Sequence, residues 1–148
     1  MTKPGDRFVD GYLLYLLAAA SEQASADFHA QVRATGLRVP EWRVLACLID
    51  SDPMMVTELA GLSLLEQSRM TKTIDQMDTR GLVSRISDAA DRRRVRVTLT
   101  DAGKALAEDL VAKANAQEAR LLASLADTDA ARIKPVLQAL LEALQPGA

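Results

Sequence analysis

At 148 residues the chain has the length of one ordinary domain and enough material to bury a core. Apolar residues make up 49% and aromatics only 3%, a balance rich in Ala and Leu that favours helix over sheet. One cysteine, Cys47, and one histidine, His29, exclude an intramolecular disulfide framework and a cysteine–histidine metal site, and a net charge of −2 argues against binding nucleic acid by bulk charge alone.

The N-terminus, TKPGDRF, lacks a basic-then-apolar leader, and the longest apolar run, GYLLYLLAAA, is too short for a membrane span. A cytoplasmic setting is therefore expected. A first helix is predicted from about Phe8 to Thr35, ending at Gly36. Its apolar face carries Phe8, Tyr12, Tyr15, Leu16, Ala19 and Ala20, then Phe28 and Val32. Pro40 suits the first turn of a second helix, where a missing N–H costs nothing, and PEWRVLACLID carries it to about Asp50. Asp52-Pro53 makes a turn. A third helix runs from Val56 to about Leu62 and a fourth from Gln67 to Arg80. Leu59, Leu62, Met70, Ile74 and Met77 recur at helical spacing as their apolar side. Gly81 tolerates the left-handed conformation that ends a helix.

The period then changes to two. Val83, Arg85 and Ser87 alternate with Leu82, Ser84 and Ile86, and Val95, Val97 and Leu99 alternate with Arg96, Thr98 and Thr100. Between these strands lies DAADRRR. Thr100 or Asp101 caps a fifth helix from Ala102 to about Leu125, and Asp127-Thr128-Asp129 opens a sixth to about Leu144. The set Ile133, Val136, Leu137, Leu140, Leu141 and Leu144 has the spacing of a buried stripe. The first, fifth and sixth helices are longer than a compact winged helix needs. Their surplus apolar surface points to a homodimer joined through both chain ends, with a bundle inside one chain as the alternative.

From Glu66 to Arg96 there are eight Lys/Arg against five Asp/Glu, a local +3 that leaves −5 for the rest of the chain. A basic head on an acidic body fits a protein that binds DNA without sticking elsewhere. Gln67, Ser68, Arg69, Thr71 and Lys72 occupy the first turns of the fourth helix, opposite Met70, Ile74 and Met77. Side chains so placed read base edges from the major groove. Arg69 has the reach and fork for guanine, and Gln67 the amide for adenine. Ser68 and Thr71 suit phosphate or a thymine methyl, and Lys72 suits phosphate. Helix, turn, polar-headed helix and arginine-tipped hairpin describe a winged helix-turn-helix.

This stretch resembles the DNA-binding domain of the MarR family of bacterial transcriptional regulators. The resemblance rests on Thr57-Glu58-Leu59-Ala60, Ser68-Arg69-Met70-Thr71-Lys72, Gly81-Leu82-Val83-Ser84-Arg85, Asp91-Arg92-Arg93 and Leu99-Thr100, in the family's order and spacing. Glu66 departs from it, standing where the family often has a capping Ser or Asp. The resemblance implies a mainly α fold with a small β-hairpin wing across one domain, residues 1–148. Within it, about 38–100 would form the DNA-binding lobe, and about 6–36 and 101–146 the helical dimerisation region.

It also implies a dimeric repressor on a palindromic operator of double-stranded DNA. In the D-x-R pattern, Arg93 would enter the minor groove while Asp91 holds its guanidinium, leaving Arg92, Arg94 and Arg96 as phosphate-seeking or solvated charges. A small effector, with aromatic carboxylates as the candidate class, would bind where the first, second and fifth helices meet. Tyr12, Tyr15, His29, Trp42 and Arg43 are the candidates, and Arg43 in Glu41-Trp42-Arg43-Val44-Leu45 matches an arginine that some relatives use for such acids. Cys47, between Ala46 and Leu48, reads as a buried small hydrophobe rather than an oxidant sensor. No catalytic residue, cofactor or metal is implied, so an enzyme is not expected. A ligand-independent repressor and a protein-interaction winged helix are the alternatives.

Overall fold

A computed structural model describes residues 5–147, so the leader reading falls partly on residues 1–4, outside the described residues. The expected first helix is broken in two. Helix α1 spans Phe8–Gly11 and α2 spans Leu13–Ala34, with Tyr12 between them in an extended conformation (φ −80°, ψ 115°). Gly11 weakens the helix at the junction, and the extended residue lets the Tyr12 ring stack on Phe8 with centroids 4.8 Å apart. Asp10 closes the start of α1 on Arg7 and the Gly5 N–H, which together hold its carboxyl down at about 2.

Only Phe28 and Val32 of the α2 apolar face are buried, and Tyr12, Tyr15 and Leu16 are exposed in this chain. Thr35 and Gly36 (φ +86°) end the helix.

Helix α3, Val39–Leu48, has Pro40 in its first turn and buries Glu41, Val44, Leu45 and Leu48. A two-residue strand β1, Met54–Met55, follows, then α4, Val56–Leu62. Leu59 and Ala60 are buried, but Leu62 is 60% exposed. It is the last residue of α4, and the turn buries Ser63 in its place. Leu64 takes the left-handed conformation (φ 57°) that a tight helix–helix turn requires, at a cost of about 1–2 kcal/mol for a non-glycine residue.

Helix α5, Gln67–Thr79, buries Met70, Thr73, Ile74 and Met77, and Gly81 (φ +74°) follows its end. Strands β2, Val83–Ser87, and β3, Val95–Leu99, form the antiparallel hairpin, with Val83 opposite Leu99 and Arg85 opposite Val97. β1 adds to the other edge of β3, Met54 opposite Val97, giving the order β1-β3-β2. Two residues are too few for alternation, so β1 left no periodic signal.

Helix α6, Asp101–Leu125, starts on the Thr100 hydroxyl, which accepts the Gly103 N–H at 3.0 Å. Gly103 is buried against the hairpin base, and a Cβ there would sit 1.9 Å from the Leu82 carbonyl oxygen.

The chain divides into two compact units, Met1–Lys113 and Ala114–Ala148. The core of the first gathers Val32, Val44, Leu45, Leu59, Met70 and Ile74, all 0% exposed. The second contains the rest of α6, a 3-10 turn Asp129–Arg132 and helix α7, Ile133–Ala143. The Thr128 side chain caps the turn by accepting the Ala130 N–H. The expected sixth helix is thus delayed. Pro135 has no N–H to bond back with, so it sits in the first turn of α7 and the preceding residues wind as 3-10. In this chain Val136, Leu141 and Leu144 remain 57–69% exposed.

Candidate nucleic-acid interface

The two faces of α5 are chemically separate. Met70, Thr73, Ile74 and Met77 fix the helix to the core, which turns Gln67, Ser68, Arg69, Thr71 and Lys72 into solvent. The structure thus brings the five predicted residues together on one exposed surface. Thr71 spends its hydroxyl proton on the Gln67 carbonyl at 3.0 Å, leaving oxygen lone pairs outward. Among the described residues neither Arg69 nor Lys72 enters an ion pair, so both charges are available to a ligand. Glu66 is the N-cap residue but its side chain caps nothing. The opening N–H groups of α5 are therefore not masked by a side-chain cap, as suits an incoming phosphate.

The wing is ordered by two aspartates. Asp88 accepts the Ala90 N–H at 2.9 Å and Arg96 Nη1 at 3.2 Å, and these hold its carboxyl below the ordinary range. Arg96 is therefore paired with Asp88, with its side chain still 39% exposed. Asp91 Oδ1 accepts both the Arg93 N–H at 3.0 Å and Arg93 Nε at 3.3 Å. The grip is one-sided rather than a full fork, because the two residues are too close in sequence for both prongs to fold back. It leaves the Arg93 side chain 93% exposed while tethered at its root. Arg92 and Arg94 are exposed beside it.

The effector candidates do not all meet. His29, Trp42 and Arg43 lie near Phe28, whose ring meets Trp42 edge-on at 5.0 Å. Burial, then the charges of Arg43 and Arg33, push the His29 imidazole below its ordinary value. Arg43 Nη1 donates to the Ser63 carbonyl at 3.4 Å, and Cys47 Sγ lies 3.9 Å from Ser63 Oγ. Cys47 is half-buried, not fully buried as expected, because it borders the polar Ser63 turn. Tyr15 is on the same helix as His29 but about 20 Å along it at 1.5 Å per residue, and Tyr12 is farther still. Both tyrosines are exposed.

Sequence reasoning missed the ion pairs at the other end of α5. Arg85 Nη1 donates to Asp78 at 2.7 Å and Nη2 to Asp75, tying β2 to α5. Glu41, 2% exposed, bonds both Arg38 and Arg80. Glu41 three residues after Arg38, beside Pro40, was a readable helix-start signal, but its partner on α5 was not. Two open grooves, of about 330 and 450 Å³, border these groups, and neither is lined by His29, Trp42 or Arg43. Among the described residues no His, Cys, Asp or Glu cluster is placed to hold a metal, and no helix is long and apolar enough to cross a membrane.

The chain is similar to known proteins in sequence and fold. Residues 37–95 match the MarR family. An HTH-type transcriptional repressor of Mycobacterium tuberculosis is 30% identical over 88% of this chain and 91% of its own. A solved MarR family transcriptional regulator from Silicibacter pomeroyi DSS-3 is 69% identical, with a TM-score of 0.89 over 95% of this chain and all of that one. Bordetella bronchiseptica BpsR, a solved structure bearing on the regulation of its DNA binding by 6-hydroxynicotinic acid, is 25% identical, with a TM-score of 0.76 over 95% of this chain and 99% of its own. With a winged helix-turn-helix whose polar helix face and arginine wing are both exposed, and with these relatives along most of its length, the chain belongs to the MarR family of DNA-binding transcriptional regulators.

Proposed function

We propose that the protein is a dimeric repressor that binds an imperfect palindrome and is released by a small aromatic carboxylate. The lobe of about residues 38–100 reads DNA, while about 6–36 and 101–146 hold a second copy. The observation that carries the reading is the division of α5 into a buried apolar face and an exposed face of Gln67, Ser68, Arg69, Thr71 and Lys72. Arg69 and Gln67 take base edges, Ser68 and Thr71 take phosphate or a thymine methyl, Lys72 takes phosphate, and Arg93 takes the minor groove with Arg92 and Arg94 on the flanking backbone.

The test compares Arg69→Ala with Lys72→Ala. Arg69→Ala is expected to cost about 1–3 kcal/mol on the preferred site and to relax its sequence preference. Lys72→Ala is expected to weaken all duplexes alike and flatten the salt dependence. The same uniform loss from both would defeat the assignment.

For the effector, Arg43 offers its guanidinium beside Trp42 and His29, and only part of it is engaged, at Ser63. The Bordetella relative's effector, 6-hydroxynicotinic acid, is an aromatic carboxylic acid, which supports the same ligand class here. Tyr12 and Tyr15 stand too far along the chain to complete that site within one copy.

A further inference from the structure

We infer that Glu41 and Arg80 form a clamp that sets the rotation of α5, making them positioning residues for sequence discrimination outside the reading face. The inference rests on α5 reading DNA.

Glu41 is 2% exposed, and a carboxylate that deep needs its partners inside the protein. Its Oε1 accepts the Arg38 N–H at 2.9 Å and Arg38 Nε at 3.3 Å. Its Oε2 accepts Arg80 Nη1 at 3.1 Å. The same Arg80 nitrogen lies 3.3 Å from the Gly36 carbonyl, and Arg38 Nη2 donates to Gln76 Oε1. One buried charge therefore ties the loop after α2, the start of α3 and the end of α5.

Met70, Thr73, Ile74 and Met77 anchor α5 in the core, and Arg85 of β2 adds a second directional tie at Asp75 and Asp78, beside the hairpin rather than against α3. Apolar packing is non-directional and allows small rotations, whereas charge-assisted hydrogen bonds fix an angle. The clamp grips the last turn of α5, and the reading residues project from its first turns. A small rotation at one end displaces Gln67 and Arg69 at the other. Base-edge bonds lose most from that displacement, while flexible phosphate contacts follow the backbone.

The experiment uses Glu41→Gln, Arg80→Gln and the double variant. Glu41→Gln keeps the acceptor for the Arg38 N–H and the side-chain volume. Arg80 is 42% exposed in its side chain, so its loss provides a second route should the buried change fail to fold. Affinity is measured for a selected operator and for an unrelated duplex, at two salt concentrations, with thermal unfolding alongside. Each single variant is expected to lose about tenfold on the operator, the scale of a coupled contact, and nothing on the unrelated duplex. The double variant should be no worse than the worse single, and Arg80→Lys should recover part of the loss.

Equal losses on both duplexes with a shallower salt slope for Arg80→Gln would make Arg80 a phosphate contact and overturn the clamp. So would a lowered melting temperature with an unchanged operator-to-unrelated ratio. A parent protein with no preference between the duplexes defeats the DNA-reading proposal itself, whereas a selective parent with equally selective variants defeats the clamp alone.

Discussion

Arg93 is 93% exposed yet bonded at its root to Asp91, a combination that suits insertion into a narrow groove. The exposed fork is free to bind, and the tether lowers the entropy lost on ordering it. Arg93→Ala is expected to reduce operator affinity more than Arg92→Ala or Arg94→Ala, with the fold unchanged. Asp91→Ala should reproduce part of the loss. Fluorescence titration of the four variants on one operator checks the order, and an Arg93→Ala protein of full affinity would remove the minor-groove role. At Arg43 the expectation concerns regulation. Benzoate-like and cinnamate-like acids should weaken operator binding of the parent protein through a coupling of about 1–3 kcal/mol. Arg43→Ala should keep DNA affinity and lose that response. A parent protein indifferent to every such acid, or a normally responsive variant, sinks the effector claim. The Asp91–Arg93 pairing was legible because both residues stand in one short local pattern. The partners of Glu41 and Arg85 were not, since Arg80 and Asp75 reach them only through the fold.

Elements were readable where period and punctuation agreed. Helix α5 begins and ends as its polar head and Gly81 imply, and the hairpin occupies the two alternating runs. The misses have physical causes. Tyr12 breaks the first helix beside Gly11, Pro135 delays α7, and β1 is too short to alternate. Leu62 keeps a core spacing, but α4 ends at that residue and frees it to solvent. Gly103 passed as an ordinary helix residue, although it lets α6 approach the Leu82 backbone. Gly103→Ala would force a methyl against that carbonyl, which cannot swing aside as a flexible side chain does. A loss of about 1–3 kcal/mol is expected from overpacking, measured by urea denaturation. An unchanged midpoint would show that the helix start shifts freely.

At the scale of the whole molecule, each compact unit leaves apolar side chains in water. Phe8, Leu13, Leu14 and Leu16 are exposed in the first, and Val136, Leu141 and Leu144 in the second. Covering them with a second copy would contribute roughly 2 kcal/mol for each large side chain before entropic costs. Two-fold symmetry in the protein then imposes two-fold symmetry on its site. Sequence selection from random duplex DNA tests this account most directly. The expected product is an imperfect palindrome with half-site centres about one helical turn apart, bound by two chains. Enrichment of no sequence, or of one unrepeated half-site bound by a single chain, would contradict it.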